Sequence, residues 1–229
     1  MGFPVDYELG EALVKYEEKK MKAIFEGCKN LVVKLICSKE GCVCGHFNGF
    51  FYSDSNLIIS SGHLHEYNGA NKYEALFFQG STLEHRCELK LLHTGILVGQ
   101  KKLNDSGSVN MYTPDVSVLE SPYVPPHPPR PFGEQVQPGA SVCVVGFKGV
   151  DEPQLSLSEG IVSYSGLSGM HITAHADNGY SGSPVLSAQG YIVGMIKGEI
   201  GQTIKQVEVV DVKTIHDFLI SKGLPGFSG

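Results

Sequence analysis

From residue 6 to residue 27 the apolar positions Leu9, Leu13, Tyr16, Met21, Ile24 and Phe25 recur at roughly helical spacing. Glu17, Glu18, Lys19 and Lys20 take the wet side, so one amphipathic helix is predicted, with Gly27 available to close it. Beyond that point the period drops to two, or to short apolar runs. Strands are predicted at 31–37, 47–52, 56–60, 73–79, 87–98 (bent near Gly95), 116–119, 141–147, 155–164, 170–174, 184–187, 191–196 and 204–210, each bounded by Gly, Asn, Asp or Ser. A second helix, from Val212 to Lys222, ends against Gly223 and Pro225. So many short strands with turn signals predict an all-β sandwich or barrels, and are too many for one small barrel. Between Ser121 and Pro131 lie six Pro, a run that favours extended polyproline II and has no place in a central strand. It reads as a linker dividing a front set of strands from a back set, with a docking peptide for a Pro-binding module as the rarer alternative.

Composition narrows the classes. At 41% hydrophobic and 18% charged residues, the 229-residue chain has enough apolar material for a sizeable core. The net charge of −6, with no basic stripe, speaks against a nucleic-acid grip. Apolar runs such as Leu57-Ile58-Ile59 are far shorter than the ~20 residues that span a bilayer, so no membrane partner is expected. Met1 to Asp6 shows no secretory pattern, and Asp6 stands where a myristoylation site wants Ser or Thr. An intracellular, by default cytoplasmic, setting with reduced thiols is expected, with organelle and nucleus left open. Cys143, inside Ser141-Val142-Cys143-Val144-Val145, reads as a small buried hydrophobe. Cys37, Cys42, Cys44 and His46 suggest a zinc cluster, but the C-x-C-x-H spacing is unusual and no second pair follows. The competing reading is a pair of strands with Cys at alternate positions, and no metal or cofactor is expected.

Three segments carry chemistry. Asp177-Asn178-Gly179-Tyr180-Ser181-Gly182-Ser183-Pro184-Val185-Leu186 is a Gly-rich turn running into an apolar strand. Glycines let backbone N–H groups face a cleft, and a Ser on such a turn can be flanked by the donors an oxyanion needs. Taken alone, the segment is also an ordinary turn. A Ser hydroxyl needs a base. Leu57-Ile58-Ile59-Ser60-Ser61-Gly62-His63-Leu64 places His63 after a buried strand and small residues, with His65, followed by Glu66, as the near alternative. A carboxylate must then fix the His tautomer. Asp115 opens the apolar strand of Thr113-Pro114-Asp115-Val116-Ser117-Val118-Leu119, where it reads as partly buried, or else as an exposed turn residue after Pro.

Together, over residues 30 to 221, these segments resemble the trypsin-like (chymotrypsin-fold) serine peptidases, most closely the Deg/HtrA type. The order His, Asp, Ser is that of the chymotrypsin class. Gly139 to Phe147, Ser158 to Ser163 and Gly190 to Met195 resemble the family's flanking strands. The resemblance implies two antiparallel six-stranded β-barrels with a helix at each end. The segments are then 1–29 (N-terminal helix), 30–120 (first barrel), 121–133 (Pro-rich linker) and 134–229 (second barrel and final helix). It further implies a serine endopeptidase acting on peptide or protein substrates, with Ser181 as nucleophile, His63 as general base, Asp115 as orienter, and the Gly179 and Ser181 N–H groups as oxyanion hole. By the family's geometry His175, Ala176, Ile196, Lys197 and Gly198 wall the primary pocket, and a His or Lys there would suit an acidic side chain. His175 on its own reads as an ordinary satisfied His.

Departures are few. Tyr180 stands where digestive relatives have Asp, which argues against zymogen activation of their kind. Leu64 replaces a Cys found in many secreted relatives, Ser183 replaces a Gly and would narrow a neighbouring pocket, and Gly62 replaces an Ala. No PDZ segment is expected after the final helix, so the trimer usual in the Deg/HtrA type does not follow. The alternatives are an inactive relative serving as a binding or regulatory module, and the zinc-binding interaction module.

Overall fold

Runs in which every residue is apolar, such as Leu31 to Cys37 (interrupted only by Lys34) and Val142 to Phe147, demand cover on both faces of a strand. The computed structural model supplies it by packing two barrels against each other. It describes residues 7–52, 55–65, 69–95, 114–126, 130–149, 152–166, 169–176, 179–200 and 206–224, without the side chains of 7–13, 65, 199 and 200.

Helix α1 (Tyr7–Cys28) leads into β1 (Val32–Lys39), β2 (Cys42–Phe51), β3 (Leu57–Ser60), a short 3-10 helix (Gly62–His65), β4 (Lys72–Gln79), β5 (Thr82–Thr94) and β6 (Ser117–Glu120). These six strands close in the order β1-β2-β3-β6-β5-β4. After the Pro-rich segment come β7 (Ser141–Phe147), β8 (Leu155–Gly166), β9 (Gly169–Ile172), β10 (Pro184–Ser187), β11 (Ile192–Ile200), β12 (Gln206–Asp211) and α2 (Val212–Ser221). They close as β10-β11-β12-β9-β8-β7. All strand pairs within the two barrels are antiparallel. The expected all-β architecture of two six-stranded barrels with a helix at each end is therefore the observed one.

Side-chain alternation on β7 shows how the barrels share a core. Val142 and Val144 face the interior of the second barrel. Cys143, Val145 and Phe147 join a larger cluster with Phe50, Phe51, Ile58 and Ile59 of the first barrel and with Ile24 and Cys28 of α1. Full burial of side chains such as Phe50 and Ile58 contributes about 1.5–3 kcal/mol each. Polar ties cross the same seam: buried Lys34 donates its Nζ proton to the Glu152 carbonyl at 3.0 Å.

Several sequence expectations shift in detail. Gly27 does not close α1, which runs on to Cys28. A Cβ at Gly27 would lie 1.6 Å from Arg130 Nη2, so the missing side chain makes room for a guanidinium that also donates to the Ile24 carbonyl. β5 stops at Thr94, short of the predicted bend at Gly95, whose N–H is held by the Val116 carbonyl at 2.6 Å. Residues 96–98 and 204–205 of the predicted strands, Pro225 and the side chains of Leu9 and Leu13 lie outside the described residues. The Pro-rich segment, described over 121–126 and 130–133, makes one isolated parallel bridge between Phe132 and Ile192 and belongs to neither barrel sheet. α2 is capped by Asp211, whose carboxylate accepts from the Thr214 N–H at 2.9 Å, and Gly223 ends it at φ 71°. No described helix is long and apolar enough to cross a membrane.

Candidate active site

The base side of the site is built on the first barrel. β3 delivers the chain to Ser61 and to the short 3-10 helix that carries His63. Gly62 is required there: a Cβ would stand 2.0 Å from the Gly95 carbonyl and 3.0 Å from Asp115 Oδ1. Asp115 sits on the turn just before β6 and is 3% exposed, so the buried reading of this residue holds. Its carboxylate takes two bonds from one residue. Oδ1 accepts from the His63 backbone N–H at 2.7 Å, and Oδ2 accepts from His63 Nδ1 at 2.8 Å. A carboxylate only accepts, so in the neutral ring the proton sits on Nδ1 and Nε2 is the acceptor. The Phe47 ring packs edge-on against His63, with centroids 5.4 Å apart. The side chain of His65 lies outside the described residues.

The serine side is built on the second barrel, on the turn that enters β10. Gly179 has φ 100° and Gly182 has φ 86°, values open to glycine and strained for other residues. At Gly182 space is also lacking, since a Cβ would lie 2.0 Å from the Asn48 carbonyl oxygen. The Ser183 N–H donates to the Tyr180 carbonyl at 2.9 Å and the Gly182 N–H to the Ile196 carbonyl at 2.8 Å. Tyr180, buried, shares a hydroxyl hydrogen bond with Ser156. The Ser181 hydroxyl donates to the Lys197 carbonyl at 3.1 Å, which is its bond among the described residues, in place of the expected bond to His63. Neither the Gly179 nor the Ser181 N–H donates to a protein acceptor among the described residues.

The two sides meet through β2 of the first barrel. Asn48, next to the Phe47 that packs on His63, donates its backbone N–H to the Ser181 carbonyl at 2.8 Å and its Nδ2 to the Gly179 carbonyl at 2.7 Å. Ser61, two residues before His63, donates to the Ile196 carbonyl at 3.2 Å. Sequence reasoning passed over Asn48. The signal was available: an amide inside the apolar run of His46-Phe47-Asn48-Gly49-Phe50-Phe51 needs partners if buried.

The residues expected to wall a pocket are scattered in character. Ala176 and Ile196 are buried, His175 is exposed, and Gly198 has open space at its Cβ position. Lys197 pairs with Glu208 at 2.6 Å, so its ammonium already has an acidic partner. Ser183 is fully buried, with its hydroxyl 2.2 Å from where a Cβ on Gly146 would stand and without a hydrogen-bond partner among the described residues. The cysteine motif resolves into a cross-strand pair, Cys44 Sγ lying 3.9 Å from Cys37 Sγ. Among the described residues no group of three or more His, Cys, Asp or Glu is placed to hold a metal ion. Burial pushes the Cys37 and Cys143 thiols up to about 12 and the Cys28 thiol up to about 11.

Comparison with solved structures finds the same fold in several proteases. The active form of the Rv3671c protease from M. tuberculosis superposes with a TM-score of 0.66 at 19% identity, covering 90% of this chain and 86% of that one. The HtrA-type protease AlgW, as a serine-to-alanine variant with a tripeptide, gives 0.65 at 14% identity, covering 86% of this chain and 62% of that one. A serine endoprotease from Yersinia pestis gives 0.63 at 15% identity, over 87% and 65%. At such identities the likeness establishes the fold. Among the curated proteins none matches significantly. The model of the trypsin-like peptidase domain matches residues 47–195, a span that contains His63, Asp115 and Ser181, and supports a serine-peptidase function in general terms. Since that span is more than half of the sequence, the chain belongs to the trypsin-like peptidase domain family.

Proposed function

We propose that the protein is a serine endopeptidase that hydrolyses peptide bonds through an acyl-enzyme, with Ser181 as nucleophile, His63 as general base and Asp115 as orienter. The observation that carries this reading is the double hold of the buried Asp115 carboxylate on His63, through backbone N–H and ring Nδ1. It gives the imidazole the orientation in which Nε2 can accept a proton, as the proposed chemistry requires.

The steps follow from those groups. Ser181 Oγ attacks the scissile carbonyl carbon while its proton passes to His63 Nε2. The tetrahedral oxyanion is met by the N–H groups of Gly179 and Ser181. Collapse breaks the C–N bond, and the leaving amine takes the proton from His63. Water then repeats the sequence on the ester and releases the acid. Asp115 stays ionised and stabilises the imidazolium. Only the chain's own groups and water enter these steps. For attack, Ser181 must exchange its bond to the Lys197 carbonyl for one to His63. Catalytic hydrogen bonds often tighten only once substrate is bound.

Ala176, Ile196 and Gly198 remain the proposed walls of the primary pocket, with His175 and Lys197 at its edge. The Lys197–Glu208 pair lowers the claim of an acidic substrate side chain on that lysine. The competing reading, an inactive relative used as a binding module, draws on the Ser181 bond to Lys197.

A fluorophosphonate probe separates the two. The wild-type protein is expected to be labelled, Ser181→Ala not at all, and His63→Ala slower by at least ~10²-fold. Absence of wild-type labelling in a protein shown to be folded would favour the binding module.

A further inference from the structure

We infer that Asn48 is the positioning residue of the nucleophile turn: a buried amide from the first barrel that sets the backbone of 179–183 in the second. Its catalytic consequence rests on the peptidase reading. Its structural part does not.

Two peptide groups beside Ser181 depend on this residue. The Gly179 carbonyl accepts from Asn48 Nδ2 at 2.7 Å and the Ser181 carbonyl accepts from the Asn48 N–H at 2.8 Å. The intervening Tyr180 carbonyl is held within the turn by the Ser183 N–H at 2.9 Å. In a trans peptide the C=O and N–H point opposite ways, so tying the Tyr180 carbonyl back aims the Ser181 N–H to the other side. That arrangement lasts only while the carbonyls on either side are fixed. Glycine leaves this open, because Gly179 and Gly182 have no side chain to restrain their dihedrals. An external hold is needed, and Asn48 provides it.

The amide itself is rigid. Asn48 is fully buried. Its Oδ1 accepts from the Phe147 N–H at 2.8 Å, and its Nδ2 donates to the Phe147 carbonyl at 3.1 Å as well as to Gly179. A backbone N–H must meet an acceptor, so this pairing settles which end of the amide is oxygen. The Asn48 carbonyl accepts from Ser60 Oγ at 2.6 Å. Every polar group of the residue is thus engaged, and no aliphatic replacement reproduces the set.

The test compares Asn48→Ala and Asn48→Ser with the wild-type chain in three measurements: thermal midpoint, amide hydrogen exchange over 179–185, and fluorophosphonate inactivation resolved into kinact and KI. Both variants keep the backbone N–H to Ser181 and lose the bond to Gly179. Expected is faster exchange at 179–183, by roughly tenfold or more, with strands β1 and β4 unchanged. Expected also is a fall in kinact of about 10²-fold with KI nearly constant, the signature of a lost transition-state contact. A folded variant whose turn exchanges like wild type, or whose kinact merely follows the folded fraction, overturns the inference. Wild-type protein that never reacts with the probe defeats the peptidase reading instead. The exchange data then decide alone: faster exchange at 179–183 upholds Asn48 as the restraint on this turn, and unchanged exchange removes it.

Discussion

On the first barrel, His63 and Asp115 hold each other: one carboxylate, 3% exposed, takes both the ring and the backbone N–H of the residue it orients. On the second barrel, the Ser181 turn is held largely from outside, by Asn48 of β2 and by the Ile196 carbonyl of β11. The difference follows from composition. A charged acceptor makes strong, directional bonds, so the base side is held mainly by its own pair, with Ser61 adding one bond across the seam. A turn of glycines gains access to unusual backbone angles and gives up the restraint that side chains would supply. In this protein the chemistry proposed for the cleft therefore depends on how the barrels dock, and more so for the nucleophile than for the base.

That contrast can be broken most strongly at the carboxylate. Asp115→Asn preserves shape but offers the ring an amide, which favours the wrong tautomer. Inactivation by a fluorophosphonate is expected to slow by about 10⁴-fold while the fold survives, as checked by circular dichroism. A drop no larger than that of Asn48→Ala would show that the two sides are equally dependent on outside support.

Alanine at the two glycines sharpens the comparison next. Gly182→Ala combines a φ of 86° with a Cβ 2.0 Å from the Asn48 carbonyl, and should cost about 2–4 kcal/mol and most probe labelling. Gly62→Ala meets only the crowding, 2.0 Å from the Gly95 carbonyl, since its φ is not positive. Its expected cost is smaller, about 1–3 kcal/mol, with slower labelling through displacement of Asp115. Denaturant midpoints rank the pair.

Ser183→Ala acts in the opposite direction. It removes a buried hydroxyl that has no partner among the described residues and should stabilise the protein by about 1 kcal/mol, leaving labelling near wild type. A loss of labelling would mean that the hydroxyl supports the turn after all.

The smallest effect concerns thiols. Cys42 is exposed, whereas Cys28, Cys37 and Cys143 are buried with thiols pushed up to about 11, 12 and 12. Iodoacetamide at pH 8 should alkylate Cys42 first and reach the buried three only on unfolding, as mass spectrometry of timed samples would record. Early labelling of Cys37 would show that β1 and β2 open readily beside the base side of the site.

The linear pattern of residues determined a good deal. Alternation and apolar runs placed twelve strands and two helices, most to within two residues but with β2 and β5 beginning five residues earlier than expected, because periods of 2 and 3.6 are consequences of backbone geometry that survive in any context. The segments of His63, Asp115 and Ser181 stood out because each sets a residue able to do chemistry among the small or apolar neighbours its local structure needs. The Pro run stood out as a break between strands because Pro lacks the N–H that a ladder requires. What only the tertiary structure decided are matters of long-range approach: that Asn48 reaches across the seam to Gly179, that Gly27 makes room for Arg130 instead of ending a helix, that Lys197 already has Glu208 as a partner, and that the Ser181 hydroxyl rests on the Lys197 carbonyl. Each depends on residues far apart along the chain, or on the final orientation of one bond, and neither periodicity nor motif spacing contains that information.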